Sequence, residues 1–241
     1  MSDGARALAG GALVGGSLVD RAVRRVRDHI RSNDLKVGDT LPGEGHFASD
    51  LGVSRAVMRE AFGALAALKV LDVGNGRRAR VGAIDGSVMA TSIDHAVATA
   101  QVSVAEVWDV RRVLEMRTAD LAARHRSVAE AVAIVAAAEA MAAAGGDLDA
   151  ITRHDIRFHQ AIAQASGNAL FHQIVRSFEP LMRVAVPAAW TTRTTEVDRE
   201  RVMAHHLDLA HAIQRSAPDE ARAAMDQHFD LSIESVLTRI R

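Results

Sequence analysis

The 241-residue chain contains no cysteine. That excludes disulfides, thiolate metal sites and a cysteine nucleophile, and it fits a reducing, cytoplasmic setting. It also lacks any run of 18 apolar residues, although 49% of the chain is hydrophobic. The sequence therefore reads as a soluble protein that buries a core and spans no membrane. A secretory signal is missing too. The opening MSDGARALAGGALVGG is rich in Gly and Ala but has neither a charged start nor a sustained apolar segment, and residues 1–17 read as a disordered tail. No internal repeat of 20–50 residues is evident. Charge of one sign is lacking overall, since the formal net charge is −1. Its distribution is uneven. Residues 1–82 hold 13 Lys and Arg against 9 Asp and Glu, and residues 83–241 hold 16 against 21. A mildly basic front and an acidic back suggest two domains with different partners.

The front half alternates helical periodicity with breakers. Residues 18–32 put Leu18, Ala22, Val26 and Ile30 on one stripe and arginines elsewhere, which predicts an amphipathic helix. Gly38, Pro42, Gly43 and Gly45 interrupt the next stretch, and a short helix over 46–52 ends at Gly52. A longer helix follows to residue 71, with Ser54 as its N-cap and Val57, Ala61, Leu65 and Leu68 as its buried stripe. LDVGNGRRARVG then predicts two short strands around a Gly-Asn-Gly turn. Helix, tight turn, second helix and hairpin make a winged helix-turn-helix over residues 18–82, whose second helix would enter a DNA major groove. Arg55 and Arg59 lie opposite the apolar stripe, where a guanidinium can bond a guanine edge in two places or clamp a phosphate. The bland alternative is a pair of solvated surface charges. Ser54, Arg55, Arg59 and the wing-tip residues Asn75, Gly76 and Arg77 are the expected DNA contacts.

This segment resembles the N-terminal domain of the GntR family of bacterial transcription regulators. The resemblance rests on Leu35, Gly38, Asp39, Leu41, Pro42, Glu44, then Leu51-Gly52-Val53-Ser54-Arg55, then Arg59-Glu60-Ala61 and Gly76. Two positions depart from the family pattern. Gly45 stands where the family usually carries a DNA-contacting Arg, and Arg77 stands where a Gly-x-Gly-Thr wing tip would continue.

The back half is alanine-rich and helical throughout. A linker over 83–103 holds at most one short helix. Helices are expected over 104–125, 127–143, 148–165, 168–186, 195–215 and 218–240, separated by Gly145-Gly146, Gly167, Pro187 and Ala217-Pro218. The expected fold is thus mainly α: a winged helix-turn-helix followed by an all-helical bundle of six or seven helices. Helical spacing turns several polar residues inward. Asp155 and His159 share a face with Ile151, Phe158 and Ile162; His206 shares one with Val202, Leu209 and Ile213; His228 clusters with Met225, Leu231 and Ser235. Burying such groups without compensation costs several kcal/mol, roughly. A divalent cation would supply it, because imidazole and carboxylate suit Zn²⁺, Ni²⁺, Mn²⁺ or Fe²⁺, with Zn and Ni favoured. The alternative is that Asp155 and His159 pair with each other. His205 is the rival of His206.

Residues 104–241 resemble the FCD effector domain of the FadR-like branch of the family. The resemblance is carried by Asp155 and His159, Ser166-Gly167-Asn168, His206 ahead of Ala212-Ile213, His228, and Arg111-x-x-Leu114-Glu115. It implies a domain for effector binding and dimerisation in which the metal anchors a small carboxylate. Arg111 would clamp that acid with two parallel hydrogen bonds, unless it pairs with Glu115. Asn168 would either donate to the ligand or cap the next helix. Trp108 is expected beside Arg112, Trp190 in a loop after Pro187, and the run 193–201 on a solvated face. The implied protein is a non-enzymatic, homodimeric, metabolite-responsive regulator, a repressor, bound to a near-palindromic operator. Its rivals are a metal-dependent enzyme fused to a DNA-binding module, a metal-free regulator responding to an acyl thioester, and a bundle carrying a purely structural zinc.

Overall fold

Residues 16–237 are described by the structure, a computed structural model, with side chains to residue 231. The chain divides into two compact units, Met1–Ile84 and Asp85–Arg241, each with its own apolar core. Most of the expected N-terminal tail, and residues 238–240 of the expected last helix, lie outside the described residues.

In the first unit, α1 spans Leu18–Ser32. Ser17 belongs to this helix rather than to the tail. Its hydroxyl accepts from Asp20 N, and the Asp20 carboxylate accepts from Ser17 N at 2.9 Å, a reciprocal cap that satisfies two end N–H groups. Helix α2 (Glu44–Leu51) closes at Gly52, whose φ of 68° is the left-handed conformation such helix ends need. Ser54 then caps α3 (Arg55–Ala67) through Val57 N. The buried face of α3 is Met58, Ala61, Phe62 and Leu65, rotated by about one residue from the expected stripe; Leu68 is 55% exposed. The larger Met58 and Phe62 bury more area than Val57 and Leu68 would, so they set the rotation. Strands β1 (Leu71–Asp72) and β2 (Arg80–Val81) pair antiparallel, and a bridge from Thr40 to Arg80 ties the loop before α2 to this wing.

The second unit contains α4 (Ser87–Ala98), α5 (Val104–His125), α6 (Val128–Ala143), α7 (Leu148–Ala165), α8 (Ala169–Ser177), α9 (Glu179–Thr192), α10 (Glu196–Gln214) and α11 (Pro218–Leu237). Helices α5, α11, α10, α6 and α7 form a closed cycle, each packed on the next, and α9 lies against α7 and α11. Buried alanines such as Ala119, Ala122, Ala138, Ala210 and Ala221 let these axes approach closely. The expected single helix over 168–186 is two helices. Pro180 in the first turn of α9 has no N–H to continue α8, and its fixed φ suits a helix start. Pro187, expected to end a helix, sits inside α9, where the only intrahelical bond it removes is the one to the Arg183 carbonyl.

Gly86 starts α4 with φ 75°, and a Cβ there would come within 2.6 Å of the Gln173 carbonyl oxygen on α8. Gly63, exposed in mid-helix α3, would meet nothing within 4 Å. Replacing each by Ala should therefore give opposite signs in urea unfolding. Gly86→Ala is expected to destabilise by about 2 kcal/mol or more, and Gly63→Ala to stabilise by about 0.5–1 kcal/mol.

Candidate functional site

Three helices aim four polar side chains at one point inside the second unit. On α7, Asp155 and His159 follow the buried stripe of Ile151, Phe158 and Ile162. On α10, His206 follows Val202, Leu209 and Ile213. On α11, His228 sits beside Met225 and Phe229. The four are 6%, 4%, 2% and 8% exposed, so none relies on bulk water. One ring nitrogen from each of His159, His206 and His228 lies within 4.8 Å of the others. Asp155 Oδ1 is 3.3 Å from His206 Nε2 and 3.9 Å from His159 Nε2. His205 is only partly buried, and His206 is the residue that reaches the cluster.

The outer nitrogens are already committed. His159 Nδ1 faces Glu115 Oε2 at 2.5 Å, and Arg111 Nε donates to the other oxygen of Glu115 at 2.8 Å. His206 Nδ1 donates to the Val202 carbonyl at 2.8 Å. These bonds fix both imidazoles in the tautomer that leaves Nε2 as a lone pair facing the cluster. His159 Nε2, His206 Nε2 and Asp155 Oδ2 are buried without a hydrogen-bond partner. Buried polar atoms are rarely left so. With both rings neutral, three acceptors converge with no donor between them, an arrangement that a cation completes.

The electrostatics agree. Burial alone would raise the Asp155 pKa, but the His206 contact and the positive potential of His159 and Arg111 hold it below the ordinary carboxylate value. Glu115 is likewise depressed, its burial outweighed by Arg111 and then His159. Burial opposes charge on His159, yet Glu115 and Asp155 outweigh it and raise its pKa. Burial, reinforced by the neighbouring histidines, pushes His228 well below its usual value and keeps it neutral. Any proton that His159 holds toward Asp155 is one that a metal ion at the cluster would displace. The link from His159 to Glu115 was not read from the sequence, although Glu115 lies one turn from Arg111 on the same face.

A cavity of about 30 Å³ of solvent-sized space opens beside the cluster. Asp155, His206 and His228 form part of its wall; Trp108, Arg111, Trp190, Arg193 and Met203 form much of the rest. Arg111 is buried in the expected direction and is also paired with Glu115, with its guanidinium 4.6 Å from the Trp108 ring. Trp108 therefore packs on Arg111, not on Arg112, which bonds Asp226 and Asp230 at 2.6 and 2.7 Å. Trp190 is buried in α9 rather than in a loop. Arg193 is half-buried and lines the cavity, so the 193–201 run is not simply a solvated face. Pro187 hid these last two, because it suggested that the helix had already ended. Asn168 caps α8, its Oδ1 accepting from Leu170 N at 3.0 Å and Phe171 N at 3.3 Å, and it is exposed outside the cavity wall.

In the first unit, Arg55, Arg59, Gly76 and Arg77 line one groove with Gly45 and Arg78. Arg59 lies 3.7 Å from Glu44, and Arg77 pairs with Asp72 at 2.7 Å. Arg55 extends beside Gly45, where a Cβ would stand 3.5 Å from a guanidinium nitrogen. Ser54 caps α3, and Asn75 is exposed at the wing tip. Arg78 had not been singled out.

Comparison with known proteins agrees with this division. The family model described as "Bacterial regulatory proteins, gntR family" matches residues 18–81, and the FCD domain model matches residues 106–231. The Glc operon transcriptional activator of Escherichia coli K12 is 29% identical, the match covering 83% of this chain and 84% of that protein. The regulator LutR of Bacillus subtilis is 27% identical over 87% and 96%, and the repressor NanR of Salmonella newport 24% identical over 83% and 78%. A solved GntR structure from Streptococcus agalactiae shares the fold with a TM-score of 0.66 at 21% identity, covering 90% of this chain and 99% of that one. No helix among the described residues is long and apolar enough to cross a membrane. The chain belongs to the GntR family of bacterial regulatory proteins with a C-terminal FCD domain, and is a DNA-binding transcription regulator rather than an enzyme.

Proposed function

We propose that this regulator senses a small carboxylate through a divalent metal ion held by Asp155, His159, His206 and His228. The observation that carries the reading is the convergence of three buried, partnerless acceptors on one point. Their nitrogen and oxygen donors suit Zn²⁺ or Ni²⁺, with Mn²⁺ or Fe²⁺ as further candidates. When bound, such an ion supplies positive charge and open positions for the oxygens of a hydroxy or keto acid. The chain's own residues support an acidic ligand. Trp108, on the cavity wall, has a buried indole N–H without an acceptor. Glu115 and Met182 engage two N–H groups of Arg111, and the remaining three can serve a ligand oxygen. The narrow space beside the cluster favours a small acid over a bulky acyl thioester.

In this reading residues 18–82 bind DNA, with Ser54, Arg55, Arg59, Asn75, Gly76 and Arg77 at the duplex. Residues 83–103, which include α4, form the linker, and residues 104–241 bind effector and dimerise. A homodimer in the cytoplasm would place one α3 in each half of a near-palindromic operator. Repression by occupying a promoter is the simplest mode. One relative is named an activator and another a repressor, so operator placement would set the sign.

Protein stripped by chelator and reloaded with Zn²⁺ or Ni²⁺ should gain several degrees in melting temperature, and His159→Ala should abolish the gain. Glu115→Gln should weaken metal affinity by about 10- to 100-fold in calorimetric titration, because it frees the His159 ring. Equal metal affinity in all three proteins would refute the site. On DNA selected from a random-sequence pool, Arg55→Ala should cost about 1–3 kcal/mol and relax base preference. An unchanged affinity would remove Arg55 from the interface.

A further inference from the structure

Among the described residues, the Arg193 guanidinium has no hydrogen-bond acceptor. Arg193 stands at the C-cap of α9, with its guanidinium 5.7 Å from the Trp190 ring, and it lines the same cavity as Asp155, His206 and His228. Its backbone carbonyl accepts from Arg199 Nε at 3.2 Å, but among the described residues no carboxylate comes within 4 Å of its guanidinium. Its neighbours differ. Arg111 has Glu115 at 2.8 Å, and Arg199 has Glu196 at 3.6 Å. Two carboxylates act on Arg193 from further away, Asp155 and Asp198, and the latter is taken by the Thr195 hydroxyl at 2.6 Å. Burial lowers the Arg193 pKa, as it does for a cation that lacks a counter-ion.

The charges around the cavity have a definite balance. Arg111 and Glu115 cancel. A divalent ion exceeds Asp155 by one positive charge, and Arg193 adds a second. The histidines, bound as neutral ligands, add none. An acid with one carboxylate would leave one positive charge in a partly desolvated pocket, and an acid with two would leave none.

We infer that Arg193 is the second anchor of a two-ended acidic effector, a short dicarboxylate with one carboxylate at the metal and the other on the Arg193 guanidinium. The inference rests on the metal-sensing reading above and adds the ligand class and the residue that selects it. Arg193 is well made for this task, since its planar fork can hold a carboxylate by two parallel bonds while Trp190 backs one face.

The test is calorimetric titration of the metal-loaded full chain with malonate, succinate and glutarate, and with acetate, propionate and butyrate as single-ended controls. Wild type, Arg193→Gln and Arg193→Lys are compared, with bound metal quantified in each. At least one dicarboxylate should bind about 10- to 100-fold more tightly than the monoacids. Arg193→Gln should erase that preference while leaving metal content unchanged, and Arg193→Lys should restore part of it. Equal binding of both classes, or a preference that survives in Arg193→Gln, overturns the inference while the metal site stands. Full metal content with no response to any acid overturns the inference together with the carboxylate reading. Protein that takes up no metal at this cluster fails at the metal reading itself, and the inference falls with it.

Discussion

Everything in the second unit is arranged around a carboxylate that has been taken out of water. Asp155 is buried in an alanine- and isoleucine-rich bundle, facing the Nε2 atoms of His159 and His206. A lone buried charge of this kind is too costly for a marginally stable domain to carry without a partner. The bundle answers with positive charge from three sides. Glu115 favours positive charge on His159, Arg111 backs Glu115, and Arg193 lines the adjoining cavity. A divalent ion at the centre would do the same work more completely.

The supporting shell gives the cluster its direction. Glu115 and the Val202 carbonyl each take the outer nitrogen of one histidine, so the inner nitrogens cannot turn away. Because α5, α7, α10 and α11 each contribute to this shell, ligand binding at the cluster touches four helices at once. α9 supplies Met182, Trp190 and Arg193 to the adjoining cavity. A site built this way links small changes at the ion to the packing of the bundle, which is the physical requirement for an effector to favour one arrangement of the domain over another.

Much of this was legible in the sequence because it depends on helical period. The four-residue spacing of Asp155 and His159, and the apolar stripes through His206 and His228, turn those side chains inward whatever the rest of the chain does. The capping signal at Ser54 was equally local. What escaped depended on partners distant in sequence. The Glu115–His159 bond spans 44 positions, and the role of Glu115 was hidden behind its nearer partner Arg111. Pro187 was read as a helix end, yet α9 runs through it, and that error moved Trp190 and Arg193 out of the site. In α3 the apolar residues 57, 58, 61, 62, 65 and 68 offer two overlapping stripes, and only packing against the neighbouring helices chooses between them.

X-ray absorption of the Zn²⁺- or Ni²⁺-loaded full chain tests the central claim most directly, because it counts the ligands. The account predicts three imidazoles and a carboxylate oxygen in the inner shell, with nitrogens at about 2.0–2.1 Å for zinc, and the loss of one imidazole in His228→Ala. A spectrum with one imidazole or none, unaltered by that substitution, would mean that the metal sits elsewhere and that the buried cluster is held by protons alone.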